Sequence, residues 1–323
     1  MTRVGFNARR VLVTGGSGFL GRWVCEALAA EGGAEVTAPR SAQHDLRDAD
    51  AVERLFARTR PDVVIHLAAV VGGIGANRKS PGRFFHDNAL MGIQVIEAAR
   101  RHAVGRFVCV GTVCSYPKTP PIPFREEDIW NGYPEETNAP YGLAKRMLLV
   151  QMQAYRDEYG MRGAFLIPTN LYGPGDHDDP ETSHVIPGLI RRFIEARERG
   201  DGHIDVWGTG AATREFLYAA DAAEAIVRAA AVCDDVDPIN LGSGQEISIR
   251  DLVARIAQQV GYSGEIRFDT SRPDGQPRRC VDSSRAERVL GWRARTAFDE
   301  GLTRTVDWFE KKLRGRSGAA TPL

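Results

Sequence analysis

Three glycines, at residues 15, 18 and 21, follow directly on the apolar run Val11–Val13 and open a helical pattern that begins at Phe19. In Val11-Leu-Val-Thr-Gly15-Gly-Ser-Gly18-Phe-Leu-Gly21, Gly15 permits a tight turn and Gly18 lets backbone approach a pyrophosphate. Gly21 lets a helix lie close on a strand. The first turn of that helix presents unpaired N–H groups to an anion. A glycine-rich turn by itself binds nothing. The strand before it and the helix after it are the context in which GxxGxxG reads as a dinucleotide loop.

The rest of the first half repeats the strand–helix alternation. Short apolar runs at Arg10–Thr14, Glu35–Ala38, Val63–Ala68, Arg106–Gly111 and Arg162–Pro168 read as strands. The periodic segments Phe19–Ala30, Asp48–Arg58, Phe84–His102 and Tyr141–Tyr159 read as helices. Continuous apolar strands between helices predict an α/β fold, a doubly wound parallel sheet of Rossmann type. From Asn170 the pattern loosens, and Tyr172-Gly-Pro-Gly-Asp-His-Asp-Asp-Pro180 is turn chemistry. Helices are expected near Val185–Arg199, Ala220–Cys233, Ile249–Val260, Ser284–Leu290 and Phe298–Lys312, and strands near Ile204–Trp207 and Pro238–Leu241. The expected division is a dinucleotide domain over 1–173, to which elements around 204–241 return, and a smaller α/β substrate domain over 174–323. The small, polar tail from Gly315 is expected to fray.

Composition narrows the function. Lys and Arg number 42 against 42 Asp and Glu, which argues against a nucleic-acid footprint. The longest uncharged run, Val63–Asn77, is 15 residues with three Gly, an Asn and a His, too short and polar to span a membrane. Met1–Arg10 has three Arg and no apolar stretch of the kind a secretion signal needs. Five Cys, at 25, 109, 114, 233 and 280, lack CxxC spacing, as in a reducing compartment. A cytoplasmic chain with no metal site is the expectation.

Two further signals bear on chemistry. Pro39-Arg40 ends the second strand where an acidic residue would select NAD; a guanidinium suits the 2′-phosphate of NADP. Asp45, five residues on, is an equally reasonable adenine contact. Tyr141-Gly-Leu-Ala-Lys145 is a YxxxK pair one helical turn apart, so both side chains share a face. A phenol of pKa ~10 is a poor acid–base at neutral pH, and a neighbouring ammonium is expected to bring it into range. Thr112, at the carboxyl end of the fourth strand, offers a hydroxyl to the same carbonyl.

Together Gly15, Gly18, Gly21, Thr112, Tyr141 and Lys145, with His66-Leu-Ala-Ala69 and Asn88, resemble the extended short-chain dehydrogenase/reductase family of nucleotide-sugar epimerases, dehydratases and reductases. The likeness runs from Arg10 to about Trp308. Within it, several stretches resemble the GDP-L-fucose synthases. These are Ala68-Ala-Val-Val-Gly-Gly-Ile74, Gly111-Thr-Val-Cys-Ser-Tyr-Pro117, Pro168-Thr-Asn-Leu-Tyr-Gly-Pro174 and Ser183-His-Val-Ile-Pro187. Val206-Trp-Gly-Thr-Gly210, Arg214-Glu-Phe-Leu-Tyr218 and Phe268–Arg278 extend the likeness. Departures are Thr112 for the usual Ser, Ser17 where these synthases often carry Arg, and the segment 175–180.

The resemblance implies an NADPH-dependent 3,5-epimerase/4-reductase acting on GDP-4-keto-6-deoxy-D-mannose, and a homodimer through the helices 84–102 and 141–159. A ketone at C4 acidifies the protons at C3 and C5, and inverting both centres needs groups that exchange protons near neutral pH. A Cys ending an apolar strand is by itself usually a core filler, and a His before Val-Ile-Pro is a helix-start residue. In the fucose synthases the matching pair moves these protons, which implies that role for Cys114 and His184 beside Tyr141, Lys145 and Thr112. Cofactor contacts implied are Gly15, Gly18, Phe19, Leu20, Gly21, Arg40, Asp45, Leu46, Leu67, Ala68, Ala69, Pro168, Asn170 and Leu171. Substrate contacts implied are Val71, Gly72, Asn170, His184, Arg192, Trp207, Arg214 and Arg278, with Arg214 and Arg278 clamping the pyrophosphate and Trp207 bordering the base. The alternative is a 4-ketoreductase or epimerase on another nucleotide-linked deoxysugar or heptose. A non-catalytic dinucleotide sensor would be expected to have lost Tyr141 or Lys145.

Overall fold

A computed structural model describes residues 5–272 and 274–317. Its first half runs β1 (Arg10–Thr14), α1 (Phe19–Glu31), β2 (Glu35–Thr37), α2 (Ala49–Thr59), β3 (Val63–His66), α3 (Ile74–Lys79), α4 (Pro81–Arg101), β4 (Arg106–Val110), α5 (Ala139–Tyr159) and β5 (Gly163–Pro168). The second half runs β6 (Asn170–Tyr172), α6 (Val185–Arg199), β7 (His203–Trp207), β8 (Thr213–Tyr218), α7 (Ala219–Val232), β9 (Pro238–Leu241), β10 (Glu246–Ser248), α8 (Ile249–Val260), β11 (Glu265–Asp269), α9 (Ser284–Leu290) and α10 (Phe298–Ser317).

Six strands form one parallel sheet in the order β2-β1-β3-β4-β5-β9. Every strand but the edge strand β2 buries both faces, and the two-residue period of the backbone sends neighbours to opposite cores. Val11, Val13, Ile65, Val108 and Leu166 enter one core with Val24, Leu28 and the alanines of α7. Leu12, Val64, Phe107, Cys109 and Phe165 enter the other with Leu55, Phe56, Ile96 and Leu148. This is the α/β architecture that the apolar runs predict. Strand order reverses between β1 and β3, so their carboxyl ends open a crevice of the kind that takes ligands in such sheets.

The second region has its own core of Tyr172, Phe193, Phe216, Leu252, Ile256 and Phe309. Around it lie a three-stranded sheet, β10-β8-β6, and the parallel pair β11-β7. Of these five strands only β7, the expected Ile204–Trp207 run, reads as an apolar run; β6, β8, β10 and β11 are additions, as is the short helix α3. α4 starts at Pro81 and α5 at Ala139, each earlier than the apolar periodicity suggests, because a proline in the first turn suits a helix start. The expected helix at Phe298–Lys312 continues to Ser317, and residues 318–323 of the tail, like Met1–Val4 and Pro273, lie outside the described residues. No helix among the described residues is long and apolar enough to cross a membrane.

Candidate active site

The glycine loop lies at the carboxyl end of β1. Gly15 has φ 74°, and a Cβ on Gly21 would stand 2.1 Å from the Gly15 carbonyl oxygen. Helix α1 has Gly18 as its N-cap and so no side-chain cap, which leaves the Phe19 and Leu20 N–H groups for an external anion. The facing wall is the loop after β3, where Leu67 N donates to Thr14 O at 3.0 Å and brings Ala68 and Ala69 alongside. Buried His66 anchors this corner through Nδ1 and the Thr14 hydroxyl at 2.8 Å. A side-chain-free cradle with unpaired N–H donors fits the pyrophosphate of a dinucleotide.

Further out, Arg40 is exposed, and its guanidinium makes no hydrogen bond or ion pair among the described residues. Leu46 is buried. Asp45 is not free for adenine through its carboxylate: Arg47 grips it at 3.0 and 2.7 Å and lowers its pKa to about 2. On the other side of the crevice Pro168 ends β5, Leu171 is part-buried, and Asn170 Nδ2 donates to Glu215 O at 2.9 Å.

Thr112 and Cys114 sit on a single 3-10 turn, with the Cys114 N–H donating to the Thr112 hydroxyl at 3.2 Å. That turn is clamped onto α5. Ser115 Oγ donates to Gly142 O at 2.9 Å, and Arg146 donates to Ser115 O. The contact needs glycine, since a Cβ at Gly142 would stand 2.2 Å from Cys114 O. Tyr141 is thereby held beside Thr112 and Cys114, its ring edge-on to Phe84 at 6.4 Å. Burial and the neighbouring Cys114 push its phenol above the ordinary range, with a hydrogen bond to Thr112 working the other way. Lys145 makes no hydrogen bond to that phenol among the described residues. Its Nζ donates to Val110 O at 3.1 Å, and burial lowers its pKa.

His184 caps α6 on a separate wall. Gly73 N donates to Thr182 O at 2.9 Å, which binds the Val71–Gly72 loop to the strand of chain that carries His184. Asn88 fixes the base of that loop by bonding both the N–H and the C=O of Val70 at 2.9 Å. Behind His184, Asp176 Oδ2 lies 3.7 Å from its Nδ1. Burial works to raise the Asp176 carboxyl, yet His177 and His184 hold it below its usual range.

The nucleotide candidates divide. Trp207 is 69% exposed, its ring under Arg272 at 5.2 Å. Arg192 is exposed and donates to Asp205 O. Arg214 faces the Cys114 cluster, and burial together with neighbouring Arg279 lowers its pKa to about 10. Arg278 is exposed. It is tied to Glu246 at 2.7 and 3.1 Å, so its guanidinium is already occupied by a carboxylate, unlike the expectation of a pyrophosphate clamp at 278. Arg279 Nη1 points to Cys114 Sγ at 3.8 Å.

The family model for the NAD dependent epimerase/dehydratase family matches residues 11–242. The chain belongs to that family. Among curated relatives, a GDP-L-fucose synthase of Sinorhizobium fredii is 39% identical over 303 residues, 94% of this chain and 96% of the relative. A GDP-L-fucose synthetase from Naegleria fowleri, solved with NADP bound, superposes with TM-score 0.86 at 30% identity over 95% of this chain and 96% of that one. A GDP-6-OMe-4-keto-L-xylo-heptose reductase from C. jejuni superposes with TM-score 0.89 at 25% identity over 96% and 100%.

For a member of the epimerase/dehydratase family, three groups at this site were missed by sequence reasoning. Arg279 is hidden by its neighbour, because adjacent residues of an extended segment face opposite ways and the sequence Pro-Arg-Arg does not say which faces in. Backbone bonds from Thr213 N to Pro277 O and Glu215 N to Arg279 O settle it. Glu215 is fully buried and accepts from Gly244 N at 2.7 Å and Val281 N at 2.9 Å, so it fixes the segment that carries Arg279. Asp176 lies in a turn-rich stretch, where an Asp is unremarkable until its burial is known.

Proposed function

We propose that this member of the family is an NADPH-dependent 3,5-epimerase/4-reductase that converts GDP-4-keto-6-deoxy-D-mannose to GDP-L-fucose. One observation carries the reading: the Cys114 thiol shares a cluster with Tyr141 and Thr112 and lies under the guanidinium of Arg279, with Arg214 adjoining. A proton-transfer thiol, a carbonyl-facing phenol and a paired cationic wall are what an anionic nucleotide-linked keto-sugar requires. The curated relatives and the NADP-bound neighbour support both the sugar and the cofactor.

In this reading residues 1–173 with α7 and β9 hold the cofactor, and 174–323 supply most of the substrate side. Bound NADPH supplies the hydride that reduces C4. Gly15, Gly18, Phe19, Leu20 and Gly21 hold its pyrophosphate by backbone, with Leu67, Ala68, Ala69, Pro168, Asn170 and Leu171 around the crevice. Arg40 is the group free to meet a 2′-phosphate. Cys114 and His184 exchange protons at C3 and C5, while Thr112 and Tyr141 donate hydrogen bonds to the C4 oxygen, where negative charge develops on enolisation. Tyr141 then protonates that oxygen as C4 is reduced. Its raised pKa keeps it a protonated donor at neutral pH. Lys145, through Val110 O, fixes the face of α5 that presents Tyr141. Arg214 and Arg279 hold the pyrophosphate and Trp207 borders the base.

The working unit is a cytoplasmic homodimer. Phe85, Ile93, Val150 and Tyr159 leave large apolar side chains exposed on α4 and α5, which pack side by side. A second copy using the same two helices buries them in a C2 four-helix contact. Light scattering gives a dimer mass if this holds and a monomer mass if it does not.

The test is product analysis with NADPH and the keto-sugar. Wild type yields GDP-L-fucose. Tyr141→Phe loses reduction by ~10²-fold or more, and Cys114→Ser lowers epimerisation selectively. Reduction that gives only an unepimerised product refutes the reading. That outcome favours a 4-ketoreductase on another deoxysugar or heptose, which the superposition on the heptose reductase also supports.

A further inference from the structure

Three ligand-type side chains converge at the start of α6. Asp176, His177 and His184 each bring one nitrogen or oxygen to within 4.8 Å of the others. Two contacts within the group are tighter, one to each oxygen of Asp176: His177 Nδ1 is 3.3 Å from Oδ1, and His184 Nδ1 is 3.7 Å from Oδ2. An ion with four ligands at ~2.0–2.1 Å has ligand–ligand edges of ~3.3–3.4 Å. Small side-chain shifts close the triangle to that size.

Two further observations point to a cation. Asp176 is 2% exposed, and its Oδ2 makes no hydrogen bond. A buried carboxylate oxygen left without a hydrogen bond is costly, and this one faces His184. Next, His177 Nε2 lies 2.9 Å from Thr182 O. A carbonyl only accepts, so Nε2 carries a proton, and Nδ1, which faces the Asp176 carboxylate, is the ring nitrogen that an ion would take in place of a proton. A carbonyl on the far nitrogen is also what orients a metal-bound imidazole. The neighbouring acids are taken: Asp178 pairs with Lys312 at 2.8 Å, and Asp179 accepts from Thr182 and Glu181. The two imidazoles are 40% and 44% exposed, so an ion reaches them from solvent and keeps a position for water.

We propose that Asp176, His177 and His184 form a binding site for a zinc-class divalent transition-metal ion. Mixed imidazole and carboxylate donors suit zinc or cobalt over magnesium or calcium. Occupancy takes up His184, so the ion acts as a reversible inhibitor of epimerisation; this consequence, unlike the site itself, rests on the function proposed above.

The test uses the full chain, freed of metal with a chelator and titrated with Zn2+ against a chromophoric indicator, without sugar or NADPH. Co2+ replaces zinc in a parallel titration to give a visible spectrum. The expected results are one ion per chain, a Co2+ spectrum of four-coordinate nitrogen–oxygen ligation, and at least tenfold weaker binding in His177→Gln and in Asp176→Asn. His177→Gln keeps metal-free NADPH oxidation within about twofold of wild type, which serves as its fold control, and zinc inhibition shifts by the same factor as binding. No binding by the wild type overturns the proposal. Equal binding by wild type and both variants also overturns it, by placing the ion elsewhere, such as on Cys114. Binding that depends on His177 without loss of epimerisation leaves the site standing and removes His184 from the proton transfers.

Discussion

Replacing Gly142 with alanine tests whether the contact between α5 and the Cys114 turn sets the catalytic geometry. The added Cβ would stand 2.2 Å from Cys114 O and 2.8 Å from Cys114 C, both backbone atoms with no rotamer to escape into. Relieving that overlap to ordinary van der Waals separation moves the turn by roughly 1 Å away from Tyr141. A misplacement of ~1 Å at reacting groups costs up to ~10²-fold in rate, so kcat/KM for NADPH oxidation should fall by about that factor. Stability should change less. Overpacking costs ~1–3 kcal/mol, and the better helix propensity of alanine returns about 1 kcal/mol. Gly82→Ala on α4 is the control, since nothing lies within 4 Å of its Cβ position. It should keep full activity. The reasoning is refuted if Gly142→Ala stays within threefold of wild type while remaining folded by thermal melt.

The remaining predictions address separate links. Arg279→Ala removes a charge-assisted contact worth ~1.5–3 kcal/mol and should lower kcat/KM ten- to a hundredfold; Arg278→Ala, which loses only the exposed pair with Glu246, should change it less than threefold. Burial pushes the His66 pKa down to about 3, whereas an unfolded imidazole titrates near ~6.5. Protons between those values therefore bind the unfolded chain, and stability should fall as pH drops below ~6.5, by about 2 kcal/mol from this residue at pH 5. An NMR titration that finds His66 protonated at pH 5 in the folded protein contradicts this. Asn88→Ala leaves both backbone groups of Val70 without partners and should cost ~1–3 kcal/mol, measured by urea unfolding.

The large sheet was legible because its strands bury both faces and so read as unbroken apolar runs, as in Arg106–Val110 and Gly163–Pro168. Of the strands of the second region only β7 was. β8 carries Arg214 and Glu215, whose charges hide it from a hydrophobic pattern although Glu215 is fully buried and satisfied by backbone N–H groups. β6 and β10 have three residues each, too few for any period to show. At the site, motif spacing located Tyr141, the strand end located Thr112, and the family resemblance pointed to Cys114; their neighbourhood follows from local connections of the strand and helix ends. Which of Arg278 and Arg279 faces the thiol depends on pairing with β8, and what surrounds Asp176 depends on how a turn folds back. Neither is a local property. The bond from the buried Lys145 to the Val110 carbonyl is likewise a product of tertiary packing that the spacing of the YxxxK pair does not show.

The measurement that bears most directly on the central claim is a single incubation in heavy water with NADPH and GDP-4-keto-6-deoxy-D-mannose. NADPH absorbance reports reduction, and mass and NMR analysis of the product report deuterium at each sugar carbon. The account predicts NADPH oxidation, a GDP-L-fucose product and deuterium at both C3 and C5. Reduction without deuterium at either carbon would contradict it, and would leave Cys114 and His184 with no part in the chemistry.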